Sequence, residues 1–193
     1  GGLHRLVLRR LAVRLTHPVG VDVRSSAPTG IRPLPRRRKA PSVPRIDLFS
    51  YGDVSPGQSP ARLYRDLEEQ VVLGDQLGYH GVWVTEHHFR SRGEVPEPLT
   101  FFARLSAVTS RIRLGTSIVC APFYHPIRLA EQAFLVDALS GGRLDLGVGT
   151  GIANDEFARI WGFTLPDASA RAAEIHEILV QAADRGVVDF DGE

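Results

Sequence analysis

The chain has no methionine and a single cysteine, Cys120, among its 193 residues. One cysteine excludes an internal disulfide, and a reducing, cytoplasmic setting is the default expectation. It also leaves a thiolate zinc site without enough ligands, so no metal is expected. No stretch approaches the roughly 18 apolar residues of a membrane span. The missing methionine, with Gly1 at the start, points to a fragment or a processed product. Acidic residues are nearly lacking from residues 1–45, where eleven basic residues face only Asp22; residues 46–193 hold twelve basic residues against 21 acids. The basic segment contains Arg36-Arg37-Arg38-Lys39 and Pro28, Pro33, Pro35, Pro41 and Pro44. With little apolar periodicity after Val23, it is expected to be a disordered extension, because it buries too little surface to offset its ordering entropy. Its arginines could serve nucleic acid or a transit-type signal. The reading adopted is a start without function, with no nucleic-acid partner.

From residue 46 the pattern turns into alternating strands and helices. Ile46–Ser50 reads as a first strand. Ser59 then Pro60 marks a helix start, a capping hydroxyl followed by a proline at the first helical position. Leu63, Leu67, Val71 and Leu77 form its expected stripe, and Gly78 its stop. Gly81–Thr85 is the second strand. Leu99–Val108 is a helix with Phe102, Leu105 and Val108 inward. Ile112–Val119 is the third strand. Pro126 opens a helix with Leu129, Ala133, Val136 and Leu139 inward, closed by Ser140-Gly141-Gly142. Arg143–Val148 is the fourth strand, followed by a short helix over 154–160 and a longer one over 168–183. The order βαβαβαβα predicts an α/β fold with a parallel sheet. An intact eight-unit barrel needs about 250 residues, so residues 46–193 suit either half a barrel or a smaller open sheet.

Three clusters sit where such folds build sites, just past strand ends. The first is Glu86-His87-His88 after Gly81-Val82-Trp83-Val84-Thr85. Adjacent strand residues face opposite ways, so the two histidines suit one acid–base group better than a shared metal. Histidine titrates near neutrality and can move a proton. The second is His125, between the third strand and Pro126, which could equally cap the helix. The third is Gly147-Val148-Gly149-Thr150-Gly151, whose glycines let a backbone approach a ligand and whose following helix could offer amides to a phosphate. Its spacing is not that of the dinucleotide fingerprint; a tight turn reads equally well.

Together these motifs resemble the bacterial luciferase-like monooxygenase family. The resemblance runs from about Ile46 to Glu193. It rests on Gly81 through Phe89; on Leu114-Gly115-Thr116 through Pro122 with His125-Pro126-Ile127-Arg128; and on Ser140-Gly141-Gly142-Arg143-Leu144-Asp145-Leu146-Gly147-Val148-Gly149. Asp189-Phe190-Asp191-Gly192-Glu193 is similar to the family's short strand region. The resemblance implies a TIM (β/α)8 barrel, of which this chain holds about the first four βα units. It implies reduced FMN at the carboxyl rim, used with O2 to oxidise a small organic substrate, and a flavin reductase as supplier. It also implies a homodimer as the common assembly. In this reading His87 is catalytic with Glu86 before it. Thr116, Ser117, Ile118, His125, Gly149, Thr150 and Gly151 contact the cofactor, and Ser117-Ile118 matches a frequent non-proline cis peptide. Some relatives place an arginine where this chain has Thr150, which removes a charge-assisted phosphate contact. Three alternatives accompany this reading: a deazaflavin-dependent oxidoreductase on the same fold, an S-adenosylmethionine methyltransferase suggested by the glycine loop, and an inactive half-domain.

Overall fold

A computed structural model describes residues 6–7, 14–16, 44–88, 95–151, 160–162 and 164–191. The strands are β1 (Leu6–Val7), β2 (Arg14–Thr16), β3 (Asp47–Ser50), β4 (Gly81–Val84), β5 (Arg113–Thr116), β6 (Val119–Cys120), β7 (Leu144–Gly149) and β8 (Val187–Val188). The helices are α1 (Pro60–Leu77), α2 (Pro98–Val108), α3 (Pro126–Ser140) and α4 (Leu165–Arg185), with a 3₁₀ turn over Ala121–Phe123. The main sheet runs β2-β7-β5-β4-β3 with every pairing parallel, and β6 continues beside β7. Consecutive βα units lie side by side, so the expected α/β arrangement of four such units is present.

The core lies between the sheet and its helices. Val82, Val84, Leu114, Leu144 and Leu146 supply the strand side; Leu99, Phe102, Leu105, Leu129, Ala133, Ile175 and Leu179 supply the helix side. The opposite face of the strands is more polar. There Trp83 Nε1 donates to Asp47 Oδ2 at 3.1 Å, and Arg113 Nη2 donates to Asp145 Oδ1 at 2.7 Å. Trp83 pairs with Gly115 across the sheet, and its ring occupies the space a side chain at Gly115 would need.

Helix ends follow the expected chemistry. Ser59 caps α1 by accepting from the Arg62 amide at 3.3 Å. Gly78 closes α1 at φ 83° and Gly141 closes α3 at φ 71°, left-handed positions where glycine carries no Cβ penalty. Thr164 and Asp167 form a capping box ahead of α4, which starts three residues before the expected boundary.

Three expected core positions lie outside. Leu77 is 68% exposed; the buried face of α1 continues through Gly74, against which Leu48 packs. Leu139 is 55% exposed, and Ser140 takes the inward position four residues beyond Val136. Val108, at the last turn of α2, is 36% exposed. The expected third strand is two pieces, β5 and β6, separated at Ser117-Ile118. The expected short helix over 154–160 falls, except for Ile160, outside the described residues. In the segment expected to be a disordered extension, Arg14–Thr16 pairs in parallel with Asp145–Gly147, and Leu6–Val7 pairs antiparallel with Val187–Val188. Partners on the sheet edge, not apolar periodicity of their own, set these strands.

Candidate active site

The carboxyl end of β4, β6 and the 3₁₀ turn after it converge on Glu86. Two residues past β4, its side chain is completely buried. Burying a carboxylate is costly unless donors surround it. Oε1 lies 2.7 Å from His88 Nε2; Oε2 accepts from the Cys120 amide at 3.0 Å and from the Tyr124 hydroxyl at 3.0 Å. Glu86 thus ties the end of β4 to β6 and to the 3₁₀ turn. Cys120 also pairs with Gly149, which brings the glycine loop into the same cluster.

The two histidines diverge, as strand alternation requires. His87 stacks on Tyr51, ring centroids 5.2 Å apart and planes 16° apart, and its amide donates to the Val95 carbonyl at 3.0 Å. His88 stands edge-on to Phe123 at 5.2 Å and to Trp161 at 5.6 Å, and those two rings stack at 5.0 Å. His87 is half-buried beside β3; His88 belongs to an aromatic wall on the other side.

The expected cofactor contacts separate into groups. The Ser117-Ile118 peptide is cis, and the Ser117 amide donates to the Val84 carbonyl at 2.8 Å. Gly149 lies against Ile118, where a Cβ would be 3.3 Å from Ile118 Cδ1. Gly151 has φ 72°, and a Cβ there would sit 2.5 Å from Cys120 Sγ. The glycines are therefore required first for close approach of the loop to the β5–β6 segment. The Thr150 hydroxyl makes one local contact, 3.4 Å from the Gly151 carbonyl. Thr116 is 1% exposed, and its hydroxyl both donates to the Gly147 carbonyl and accepts from the Gly147 amide at 2.8 Å. That hydroxyl is committed to the sheet. His125 is exposed at the start of α3, where its carbonyl accepts from the Leu129 amide at 3.0 Å. It lines a cleft of about 660 Å³ with Phe123, Tyr124, Trp161, Arg171 and Phe190, a cleft that borders the His88 wall and Tyr124, the partner of Glu86.

Four neighbours of Glu86 and His87 escape a reading by motif: Tyr51, Glu97, Cys120 and Tyr124. Tyr51 and Cys120 each fall at or just past a strand end, the one local signal that flags them. Glu97 and Tyr124 arrive from separate loops, and no spacing in the sequence joins them. Burial, then the charge on Glu86, pushes the Cys120 thiol up, so it is inert as a nucleophile. Burial and the two carboxylates push the Tyr124 phenol up as well. Glu97 is raised by burial first and by Glu86 second.

The family described as luciferase-like monooxygenase matches residues 45–193. The oxygenase component of flavin-dependent trigonelline monooxygenase from Acinetobacter baylyi is 38% identical over 117 residues, covering 60% of this chain and 32% of that protein. The crystal structure of monooxygenase RslO1 from Streptomyces bottropensis superposes with a TM-score of 0.63 at 31% identity, covering 71% of this chain and 41% of that one. The FMN complex of the oxygenating constituent of 3,6-diketocamphane monooxygenase from Pseudomonas putida superposes with a TM-score of 0.64 at 22% identity, covering 70% and 38%. The chain thus spans about two fifths or less of the length of these three proteins.

Proposed function

Because this chain belongs to the luciferase-like monooxygenase family, we propose that it contributes the Glu86–His87 side of an active site that oxidises a small organic molecule with O2 and reduced FMN. The observation that carries the reading is the buried Glu86 carboxylate. It joins the end of β4 to Cys120, two residues past the cis Ser117-Ile118 peptide, beside the Gly149 turn. The carboxyl rim of the strands is where barrels place chemistry.

The residues present fit a flavin in kind. Gly149 and Gly151 bring backbone close to the Ile118 and Cys120 positions, and Thr150 offers a hydroxyl. Ser117, Ile118, Gly149, Thr150 and Gly151 would hold the cofactor. Thr116 would position the cis segment through Gly147. Bound reduced FMN supplies the oxygen chemistry. The chain's own part is to orient and to move a proton. Tyr51 stacks beneath the His87 ring and fixes its plane, while the Val95 carbonyl holds its amide. An imidazole held this way serves as general acid or base. Glu86 steadies the turn from which His87 projects.

A flavin reductase fits as partner, since one relative is the oxygenase component of a larger system. The test is a titration of the protein with reduced FMN, with a deazaflavin and with S-adenosylmethionine. Saturable binding of FMN alone is the expected result. Binding of the deazaflavin alone would move the reading to oxygen-independent hydride transfer, and binding of S-adenosylmethionine alone would overturn it.

A further inference from the structure

A tyrosine hydroxyl carries one proton, and Tyr124 stands between two carboxyl groups. Its oxygen is 3.0 Å from Glu86 Oε2 and 3.3 Å from Glu97 Oε2. It can donate to one of them only, and an ionised carboxylate cannot donate back. Glu86 is the natural recipient, because the Cys120 amide at 3.0 Å already marks the same oxygen as an acceptor. Its other oxygen faces His88 Nε2 at 2.7 Å.

Glu97, at the start of α2, has less such company: besides Tyr124, only the Leu99 amide favours its charge by hydrogen bonding among the described residues. Its Oε1 is buried, and among the described residues no donor meets it. A charge on that group would lie close to Glu86, a like charge, with one oxygen unsolvated and unpaired. From this hydrogen-bond inventory we infer that Glu97 carries a proton on Oε2 and donates it to Tyr124, so that the bonds run one way, from Glu97 to Tyr124 to Glu86. The groups facing Glu97 are Glu86 and His88 from the end of β4 and Tyr124 from the 3₁₀ turn. Burial and Glu86 raise its pKa; the Tyr124 hydroxyl, the Leu99 amide and His88 oppose them, and the net direction is upward. Glu97 is a positioning residue. It sets the rotor of Tyr124, leaves Glu86 as the charged end, and stores a dissociable proton one phenol away from the carboxylate that precedes His87. Its role in turnover rests on the reading of Glu86 and His87 as the active site; the placement of the proton does not.

The experiment compares the wild-type chain with E97Q by infrared difference spectroscopy at neutral pH, without flavin. The expected result is the carbonyl stretch of an un-ionised carboxylic acid in the wild type, sensitive to deuterium exchange and lost in E97Q. In Y124F, which removes the acceptor of that proton, the band should persist at a shifted frequency. A second readout is the thermal midpoint against pH. A carboxyl group raised above its ordinary value of 4.5 binds a proton on folding. Wild-type stability should therefore fall relative to E97Q as pH rises above that value, and the gap should level off once the folded group titrates. Absence of the acid band in the wild type, or parallel pH profiles for a folded E97Q, overturns the inference. An acid band in a protein that binds no FMN leaves the inference standing and removes the proposed function instead.

Discussion

Two buried acids at opposite ends of the sheet, Asp75 and Glu97, are treated in opposite ways. At the amino end, Asp75 in the last turn of α1 accepts the amides of Ser110, Arg111 and Ile112 at 2.9, 2.9 and 2.6 Å. Burial alone would raise its pKa, but the amides of Ser110, Ile112 and Arg111 outweigh that and lower it. Nearby, Arg143 donates to the carbonyls of Ser140, Ile112, Ser106 and Thr109 and joins α2, α3 and β5. At the carboxyl end, Glu86 and Glu97 share one tyrosine, and Glu97 is raised. The charge on Asp75 meets enough donors to be settled, whereas Asp137, also buried at the amino end and met by the Leu144 amide, is raised by burial. At the rim there are too few donors for two charges, and a proton must make up the deficit. In the proposed function the rim is where protons move, the placement expected of barrel-type sheets.

That contrast can be broken first at His87. In an assembled, flavin-loaded enzyme, His87→Ala should lower turnover by about 10²–10⁴-fold, the usual worth of a positioned acid or base. Its thermal midpoint should stay near wild type, since the half-buried ring leaves room for water. Unchanged turnover would remove His87 from the chemistry. Asp75→Ala tests the other end. Three amides lose their acceptor, at a cost of about 3 kcal/mol, measured by denaturant unfolding, with any flavin affinity lost only in step with unfolding. The sign with pH also differs between these two acids. Asp75 is depressed below 3.8, so its contribution is present above that value and lost as pH falls through its folded pKa. Glu97 behaves in reverse, losing stability as pH rises. A smaller effect is expected at mid-sheet, where Gly115→Ala would push the Trp83 ring aside at about 1–3 kcal/mol, with a change in tryptophan emission as the check. The smallest is Ser59→Ala, worth about 1 kcal/mol through the lost α1 cap. Because α1 begins on the rim side, Ser59→Ala asks whether every rim change disturbs function; equal loss of stability and flavin affinity would blur the contrast.

Much of this arrangement was legible in the sequence, for physical reasons that can be stated. Buried parallel strands are continuous apolar runs, so Gly81–Val84 and Leu144–Gly149 were found nearly to the residue. Glycine and proline punctuation located the ends of α1 and α3. The rim itself was marked by Glu86 and His87 directly after a strand. The misses have equally local causes. Leu77 and Leu139 are apolar but lie on the wrong side of their helices, because Gly74 and Ser140 take the close-packed positions. Thr116 sits at the end of β5 as expected, yet its hydroxyl is consumed by Gly147. His125 follows a strand in sequence and lines a cleft that also includes Tyr124, Phe123 and Trp161. Glu97 and Tyr124 were invisible because they meet only through the tertiary fold. A pattern in one dimension records which elements form; it does not record which loops touch.

The two tryptophans of the chain fall on either side of this divide. Trp83 donates to Asp47, the first residue of β3, while Trp161 leans its edge on His88 beside Phe123. Single replacement by phenylalanine would thus leave one indole watching the anchored base and the other watching the aromatic wall. Emission from each alone would time, separately, when either end of the molecule loosens.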